Sequence, residues 1–166
     1  STIKRFTIQN GSGTFIGLNQ YLVEMYRGGG INAMDNSSIN YIDDCVVKNN
    51  NLRVHSGADG RGGGIYANSK TIIKNCELFN NQCQQYGGAI YGGDRIESSV
   101  IYNNFGVRQV YESKQLTHCN VHSDVSNDLG VGKTDSILNS SISFSYECDY
   151  IENSVVYNSG QQAIVV

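Results

Sequence analysis

The chain has 166 residues, a formal net charge of -3 and a pI of about 5.5. Apolar residues make up 39% and charged residues 16% of it, so it is too apolar for a disordered segment and too weakly charged for a coiled coil. No Lys/Arg run offers the positive surface that nucleic acid requires, and no apolar run approaches the roughly 20 residues that cross a bilayer. We therefore expect a single domain, residues 1–166, with no nucleic-acid partner and no membrane insertion.

The residue composition favours strands joined by many tight turns. The chain contains 19 Gly and 19 Asn but neither Pro nor Trp. Gly and Asn supply the positive-φ positions that turns require. An all-β protein is therefore the first expectation.

From the N-terminus onward, one short alternating pattern returns seven times. An aliphatic residue is followed three positions later by a small residue or Phe and five positions later by a second aliphatic residue. The aliphatic pairs are Ile3 and Ile8, Ile42 and Val47, Ile73 and Leu78, Ile96 and Ile101, Leu116 and Val121, Ile137 and Ile142, and Ile151 and Val156. Alternation with a period of two predicts strands whose positions three, five and seven share one face. We call each of these units a repeat.

A second short strand precedes several repeats and follows paired glycines. The segments are GGGINA at 28–33, GGGIYA at 62–67, GGAIYG at 87–92 and, without glycines, RQVYES at 108–113. They hold one aliphatic residue each that we expect to be buried: Ile31, Ile65, Ile90 and Val110. We call these segments the glycine strands.

A unit of about 20 to 23 residues cannot bury its own apolar face, so neighbouring repeats must stack and share a core. The sequence thus predicts a parallel β-helix solenoid of six to seven coils. The irregular insertions and the general preference for right-handed parallel crossovers favour the right-handed kind. Stacked Asn amides would hydrogen-bond from coil to coil, and position seven supplies Asn10, Asn49, Asn80 and Asn103 for such a ladder.

The paired glycines and the aliphatic-Cys-Asn strands together resemble the repeats of chlamydial polymorphic outer-membrane autotransporters and of related large bacterial surface proteins. The resemblance covers residues 28–104, with GGGI at 28 and 62, GGAI at 87 and FNNQ at 79, where the family has Phe-x-x-Asn. After residue 104 the glycine pair is absent. The resemblance implies a right-handed β-helix passenger domain that acts in adhesion.

Aromatic residues recur at the same outward positions. The residue after the buried aliphatic of the glycine strand is Tyr66, Tyr91 and then Tyr111, and position six of two repeats is Phe79 and Tyr102. Stacked repeats would turn these residues into an exposed apolar stripe, which marks binding surfaces on soluble proteins. We expect the stripe to contact a glycan or a protein, although aromatic residues also stack in strands for stability alone.

The tripeptide Asp43-Asp44-Cys45 supports a different function, a polysaccharide-active hydrolase or lyase. Pectin-cleaving hydrolases of β-helix architecture carry an Asp-Asp-Cys in which the carboxylates serve as acid and base. The other motifs of that family, Asn-Thr-Asp, Gly-His-Gly and Arg-Ile-Lys, are absent. The alternative for Asp43 and Asp44 is a solvated turn pair.

The five Cys residues follow no metal-binding spacing. Cys45, Cys76 and Cys119 fall at position three, which should face the interior, whereas we expect Cys83 and Cys148 in turns. A bridge between Cys45 and Cys76 is open by distance, although parallel Cβ vectors aim poorly for one. We expect no metal and no cofactor.

Together these features predict a noncatalytic extracellular module, at a cell surface or in a virion fibre, that acts in adhesion or as a structural component. Neither the segment STIKRF nor the segment AIVV resembles a cap for the ends of a solenoid. Uncapped strand edges invite pairing. We therefore expect a segment of a longer protein or a chain that associates with another copy.

Overall fold

The computed structural model describes residues 1–122, 129–142 and 145–156, and every regular element among them is a β-strand. In chain order the strands are β1 (Thr2–Lys4), β2 (Thr7–Gln9), β3 (Thr14–Leu18), β4 (Glu24–Arg27), β5 (Ile31–Ala33), β6 (Asn40–Asp43), β7 (Val46–Lys48), β8 (Asn51–Leu52), β9 (Asp59–Arg61), β10 (Ile65–Ala67), β11 (Thr71–Lys74), β12 (Glu77–Phe79), β13 (Gln82–Cys83), β14 (Ile90–Gly92), β15 (Arg95–Glu97), β16 (Val100–Tyr102), β17 (Arg108–Tyr111), β18 (Gln115–Thr117), β19 (Asn120–His122), β20 (Leu129–Leu138), β21 (Ser141–Ile142), β22 (Ser145–Glu152) and β23 (Val155–Val156). Over these stretches of the chain, no helix has the length and apolarity that a membrane span needs.

The strands form two large parallel sheets and two small ones. The first is 11-stranded, in the order β1-β6-β11-β15-β18-β20-β17-β14-β10-β5, with β22 paired to β20. The second is 7-stranded, in the order β2-β7-β12-β16-β19-β21-β23. The all-β prediction is thus confirmed, and the strands pair in parallel across repeats.

The strand register follows the alignment of the repeats. In the 11-stranded sheet the paired residues are, in succession, Ile3, Ile42, Ile73, Ile96, Leu116, Ile137 and Ile151. In the 7-stranded sheet they are Ile8, Val47, Leu78, Ile101, Val121, Ile142 and Val156. The glycine strands pair Ile31, Ile65, Ile90 and Val110 in the same way, and the structure adds Val131 to that series.

These aliphatic columns form one core. Ile73, Leu78 and Ile101 are each 0% exposed, and the cluster runs from Ile31 to Cys148. Residues of the first repeat are less covered, and Phe6, which has the register position of buried Cys45, is 61% exposed. Core burial therefore depends on a repeat on either side.

The chain turns between sheets through single left-handed residues. At the first corner, between the 11-stranded and the 7-stranded sheet, these residues are Arg5, Asp44, Asn75, Ser98, His118, Asn139 and Asn153. At the second corner, after the strand of the 7-stranded sheet, they are Asn10, Asn49, Asn80 and Asn103. Their φ values lie between 46° and 62°. Asn is enriched in this region, which fits its predominance at the second corner.

The paired glycines are required because the backbones of successive repeats approach each other closely just before the glycine strands pair. A Cβ on Gly29 would lie 1.9 Å from the Gly63 carbonyl oxygen, and one on Gly63 would lie 2.4 Å from that of Gly88. Gly29 N–H donates to the Gly62 carbonyl at 2.9 Å. No side chain fits between successive segments in this column.

The connections between the second corner and the glycine strands differ most between repeats. The first contains the antiparallel hairpin β3–β4, and β4 then pairs in parallel with β9 of the second. Beneath them Leu52, Val54, Ala58 and Cys83 form a smaller core. Cys83 is therefore a buried strand residue, and Cys148 is likewise buried in β22, so the prediction that both lie in turns is wrong.

Candidate functional site

The predicted aromatic residues Tyr66, Tyr91 and Tyr111 stand in one register, on β10, β14 and β17. The rings of Tyr66 and Tyr91 stack with centroids 5.4 Å apart and planes 4° apart. Those of Tyr91 and Tyr111 are 5.9 Å apart and tilted by 36°. We call these three residues the tyrosine column.

The tyrosine column is less exposed than the sequence suggested. Tyr91 is only 5% exposed, and Tyr66 and Tyr111 are half-buried. The Tyr91 hydroxyl accepts a hydrogen bond from Arg61 Nη1 at 2.6 Å and donates a short one to Glu112 Oε2. Burial, and then the bond to Glu112, raise the pKa of Tyr91. Tyr91 is therefore a buried residue at the centre of the column, and the prediction that its ring is exposed is wrong.

The ring faces of the column are occupied from within the molecule. The Arg27 guanidinium lies 5.3 Å from the centroid of Tyr66, and the ring of Tyr86 stacks on Tyr111 at 4.5 Å. Since successive repeats place the rings above one another, face contacts are made between the rings themselves. Ring edges and polar groups are what the column offers to a ligand.

A buried ion network holds this arrangement. Arg27 is 4% exposed, and its Nη2 lies 2.9 Å from Asp59 Oδ2. Arg61 Nε lies 3.0 Å from the other oxygen of Asp59. Because Arg27 ends β4 while Asp59 and Arg61 lie on β9, these pairs join two strands of the small three-stranded sheet, and the contacts of Arg27 with Tyr66 and of Arg61 with Tyr91 hold that sheet against the column.

Beside the column lies a groove of about 310 Å³. Its lining comes from the loop after β5, the ends of β10 and β14 and the turns that follow them: Met34, Asn36, Tyr66, Ala67, Asn68, Ser69, Tyr91, Gly92, Gly93, Glu112 and Lys114. Gly93 forms an open part of the wall, since a Cβ there would meet no atom nearer than 3.8 Å. Repeat alignment does not predict this groove, because its walls combine turns from several repeats.

The second aromatic pair, Phe79 and Tyr102, stacks on the 7-stranded sheet with centroids 5.1 Å apart. Lys48 Nζ lies 5.7 Å from the Phe79 centroid, and the Tyr102 hydroxyl donates to Glu77 at 2.8 Å. That hydrogen bond raises the pKa of Tyr102. The structure brings this pair together as predicted, but on a different sheet from the tyrosine column.

The two aspartates of the hydrolase-like tripeptide have separate partners. Asp43 is 6% exposed and takes an ion pair from Lys4 at 2.7 Å and a hydrogen bond from Asn75 at 3.0 Å. These two bonds lower the pKa of Asp43. Asp44 is exposed at the first corner and pairs with Arg5 at 3.3 Å. The solvated-turn interpretation holds for Asp44 but is wrong for Asp43.

The asparagine ladder lies one residue beyond the predicted positions. Asn10, Asn49 and Asn80 are exposed and Asn103 is half-buried, because all four occupy the left-handed second corner. The ladder consists of the next residues, Asn50, Asn81 and Asn104, each 0% exposed. Asn50 Nδ2 donates to Asn81 Oδ1 at 2.8 Å, and Asn81 Nδ2 donates to Asn104 Oδ1 at 2.9 Å. Gln109 ends the ladder by accepting from Asn104 at 3.0 Å.

The thiols line the interior at position three, as predicted for Cys45, Cys76 and Cys119. All five cysteines lie among the described residues as buried thiols, and none of them forms a disulfide. Burial raises the pKa of Cys76 to about 12 and that of Cys119 to about 11, which disfavours the reactive thiolate. Residues 1–122, 129–142 and 145–156 contain no cluster of three His, Cys, Asp or Glu that could hold a metal ion.

Comparison with known proteins adds no relative to this description. No protein-family model matches the chain, and neither a curated protein nor a solved structure matches it. The groove, the tyrosine column and their polar groups are the features that bear on function.

Proposed function

We propose that this chain is a right-handed parallel β-helix of six to seven coils. Parallel pairing in two large sheets and the continuous register of two aliphatic columns of seven residues each support this interpretation. The handedness rests on the general preference for right-handed crossovers between parallel strands. In this reading the two corners separate the sides of each coil.

We propose further that it is a noncatalytic extracellular module, of an adhesin or a fibre, that contacts a glycan or a protein. The observation that carries this proposal is the groove of about 310 Å³ beside the tyrosine column. Concave sites with a few convergent polar groups are where ligands bind by default. Glu112, Lys114 and Asn68 provide a carboxylate, an ammonium and an amide there.

A glycan and protein array, probed with the chain and two variants, tests this function. Tyr66→Ala removes a half-buried ring from the groove wall, while Tyr21→Ala removes a 76% exposed ring outside it. We expect Tyr66→Ala to weaken binding at least tenfold and Tyr21→Ala to leave it unchanged. Equal binding by both variants would refute a contact role for this surface, provided circular dichroism shows both folded.

The enzyme alternative has one observation in its favour, a second groove of about 370 Å³ at the first corner that contains Asp44 and Glu77. Against it, a general acid needs a raised pKa, whereas the ion pair with Lys4 lowers that of Asp43. Asp44→Asn should leave any release of reducing sugar from polysaccharides unchanged. Loss of a measurable activity in this variant would establish the enzyme reading instead.

We also propose self-association through the end formed by β1, β2 and β5. Among the strands that the structure describes, each of these three has a parallel partner on one side only, and Phe6 beside them is 61% exposed. A cavity of about 200 Å³ at this end is lined by Ile3, Ile31 and other residues of the first two repeats. Light scattering should detect dimers that Phe6→Asp dissociates; a monomer at all concentrations would count against this.

A further inference from the structure

The groove beside the tyrosine column has the size and character of a small-molecule subsite more than of a protein interface. Its volume is about 310 Å³, near the lower end of the usual range for ligand pockets. A stable protein partner generally requires about 800 Å² from each side. Turn residues form most of the wall, and Gly93 leaves part of it open, since a Cβ there would meet no atom nearer than 3.8 Å.

The groove recognises polar groups more readily than flat apolar ones. The faces of Tyr66 contact Arg27 and Tyr91, so they are closed to a sugar ring. Hydrogen bonding remains, because the Glu112 carboxylate, which accepts from Tyr91, has lone pairs for more than one donor. Asn36 and exposed Ser69 extend this polar lining.

Charges around the groove cancel in pairs. Arg27 and Arg61 both pair with Asp59, and the Lys114 ammonium lies 2.8 Å from Asp94. With Glu112, Lys70 and Asp35, the set has four cations and four carboxylates, and its formal sum is zero: Arg27, Arg61, Lys70 and Lys114 against Asp35, Asp59, Asp94 and Glu112. A bound uronate or sulfate would have to compete with these carboxylates for the cations, and desolvated anions without a counter-charge are strongly disfavoured.

We propose that this groove binds an uncharged oligosaccharide, held through its hydroxyls, and discriminates against uronate and sulfated glycans. The inference rests on the proposed surface-contact function and names the ligand class of that site. Sugar hydroxyls donate to Glu112 and accept from the Asn68 and Asn36 amides and the Lys114 ammonium. Such binding depends little on ionic strength, since no net charge is neutralised.

The test is an array of neutral, uronate and sulfated oligosaccharides, followed by calorimetry on the best ligand at about 50 and 300 mM NaCl, a span over which screening of exposed charges changes strongly. Ser69→Trp places a large ring at the exposed rim of the groove without touching the core. Ser56→Trp makes the same change at an exposed site outside the lining.

We expect neutral ligands to bind, Ser69→Trp to weaken them at least tenfold, and Ser56→Trp and added salt to change affinity less than twofold. Preference for uronate or sulfated ligands with strong salt dependence would overturn the inference while leaving a glycan-contact function in place. Neutral binding that survives Ser69→Trp would place the ligand elsewhere and overturn it as well. Absence of glycan binding of every class would remove both the inference and the glycan part of the proposed function.

Discussion

After the first repeat, the left-handed residue of the first corner is followed by an inward Cys or Ser, whereas Asn49, Asn80 and Asn103 at the second corner are each followed by an inward Asn. Ser99 Oγ at the first corner donates to the Glu97 carbonyl, two residues earlier, at 2.8 Å. It also accepts from Cys76 N–H of the previous repeat at 3.1 Å. The short side chain thus satisfies its own turn and makes one bond to a neighbour.

At the second corner the longer amide reaches the repeats on both sides. Asn81 donates to Asn104 and to the Val47 carbonyl, and its oxygen accepts from Asn50. Three repeats are therefore linked through one buried residue. The same backbone turn can thus be closed mainly within a repeat, as at Ser99, or between repeats, as at Asn81. Bonds between repeats make the loss of the side chain more costly.

Asn81→Ala should have the largest effect at either corner. It leaves Asn50, Asn104 and the Val47 carbonyl without bonds that they make in a water-free interior. Because each unsatisfied buried group costs about 1–3 kcal/mol, we expect a loss of about 3 kcal/mol in the free energy of unfolding. Urea denaturation measures this loss, and a value below about 1 kcal/mol would contradict an energetic role of the ladder.

Ser99→Ala tests the first corner and should cost less, about 1–2 kcal/mol, since it removes one donor and one acceptor. Ser99→Cys keeps a donor at the position where Cys76 and Cys119 already donate to carbonyls. We expect the Cys variant to recover most of the stability in the same denaturation experiment. If Ala and Cys were equally destabilising, the hydrogen bond would not be what this position requires.

Asn80→Ala should cost about 1 kcal/mol, because Ala tolerates the left-handed φ of 54° less well than Asn, whose short polar side chain can hydrogen-bond locally. Asn80→Gly, which has no such strain, is the matched control and should change stability by only a few tenths of a kcal/mol. The loss for Asn80→Ala should thus be well below that for Asn81→Ala. Equal losses at these adjacent residues would remove the distinction between turn and ladder.

The smallest expected effect is a dependence of stability on pH that arises at the first corner and not at the second. There Asn75 and Lys4 bind the Asp43 carboxylate and lower its pKa, whereas the ladder at the second corner contains only amides. A lowered folded-state pKa contributes stability that is present above the ordinary value of about 3.9 and is lost as the pH falls through the lowered one. Denaturation between about pH 5 and 2 should show a decline that Asp43→Asn reduces. The same decline in both proteins would assign it to other carboxylates.

The aliphatic columns were predictable because alternation survives in the short strands. Ile73 and Leu78 were aligned with their neighbours from sequence, and the register agrees. The spacing of three between Ile73 and Cys76 already departs from strict alternation, since left-handed Asn75 turns the chain between them. The alignment of the repeats still predicted the inward residue at that corner, because a Cys or Ser recurs three positions after the aliphatic residue.

At the second corner a left-handed residue also breaks the alternation, and there the prediction of the buried residue is wrong. Strict alternation puts Asn80 inward after Leu78, but Asn80 itself is left-handed and the inward position passes to Asn81. Adjacent asparagines also stand at 49 and 50 and at 103 and 104, so composition cannot distinguish the two members of a pair. Only the backbone conformation decides which amide is buried.

The tyrosine column shows a second property that the alignment of repeats does not predict, the exposure of the rings. Alignment of the repeats placed Tyr66, Tyr91 and Tyr111 together, and the register agrees. Arg61, which lies over Tyr91, pairs in register with Arg27, which lies over Tyr66, and each arginine directly precedes a glycine strand. These arginines stand outside the aliphatic pattern, so that pattern did not reveal that they cover the rings.

Length variation between the second corner and the glycine strands has a practical consequence for protein engineering. The β3–β4 hairpin lies within one such connection, yet Ile31 and Ile65 remain paired beyond it. Doubling the length of a loop costs only about 0.6 kcal/mol in closure entropy. The exposed segment at Ser56 and Gly57 should therefore accept a foreign peptide epitope, which would make the chain a rigid carrier for antigen display.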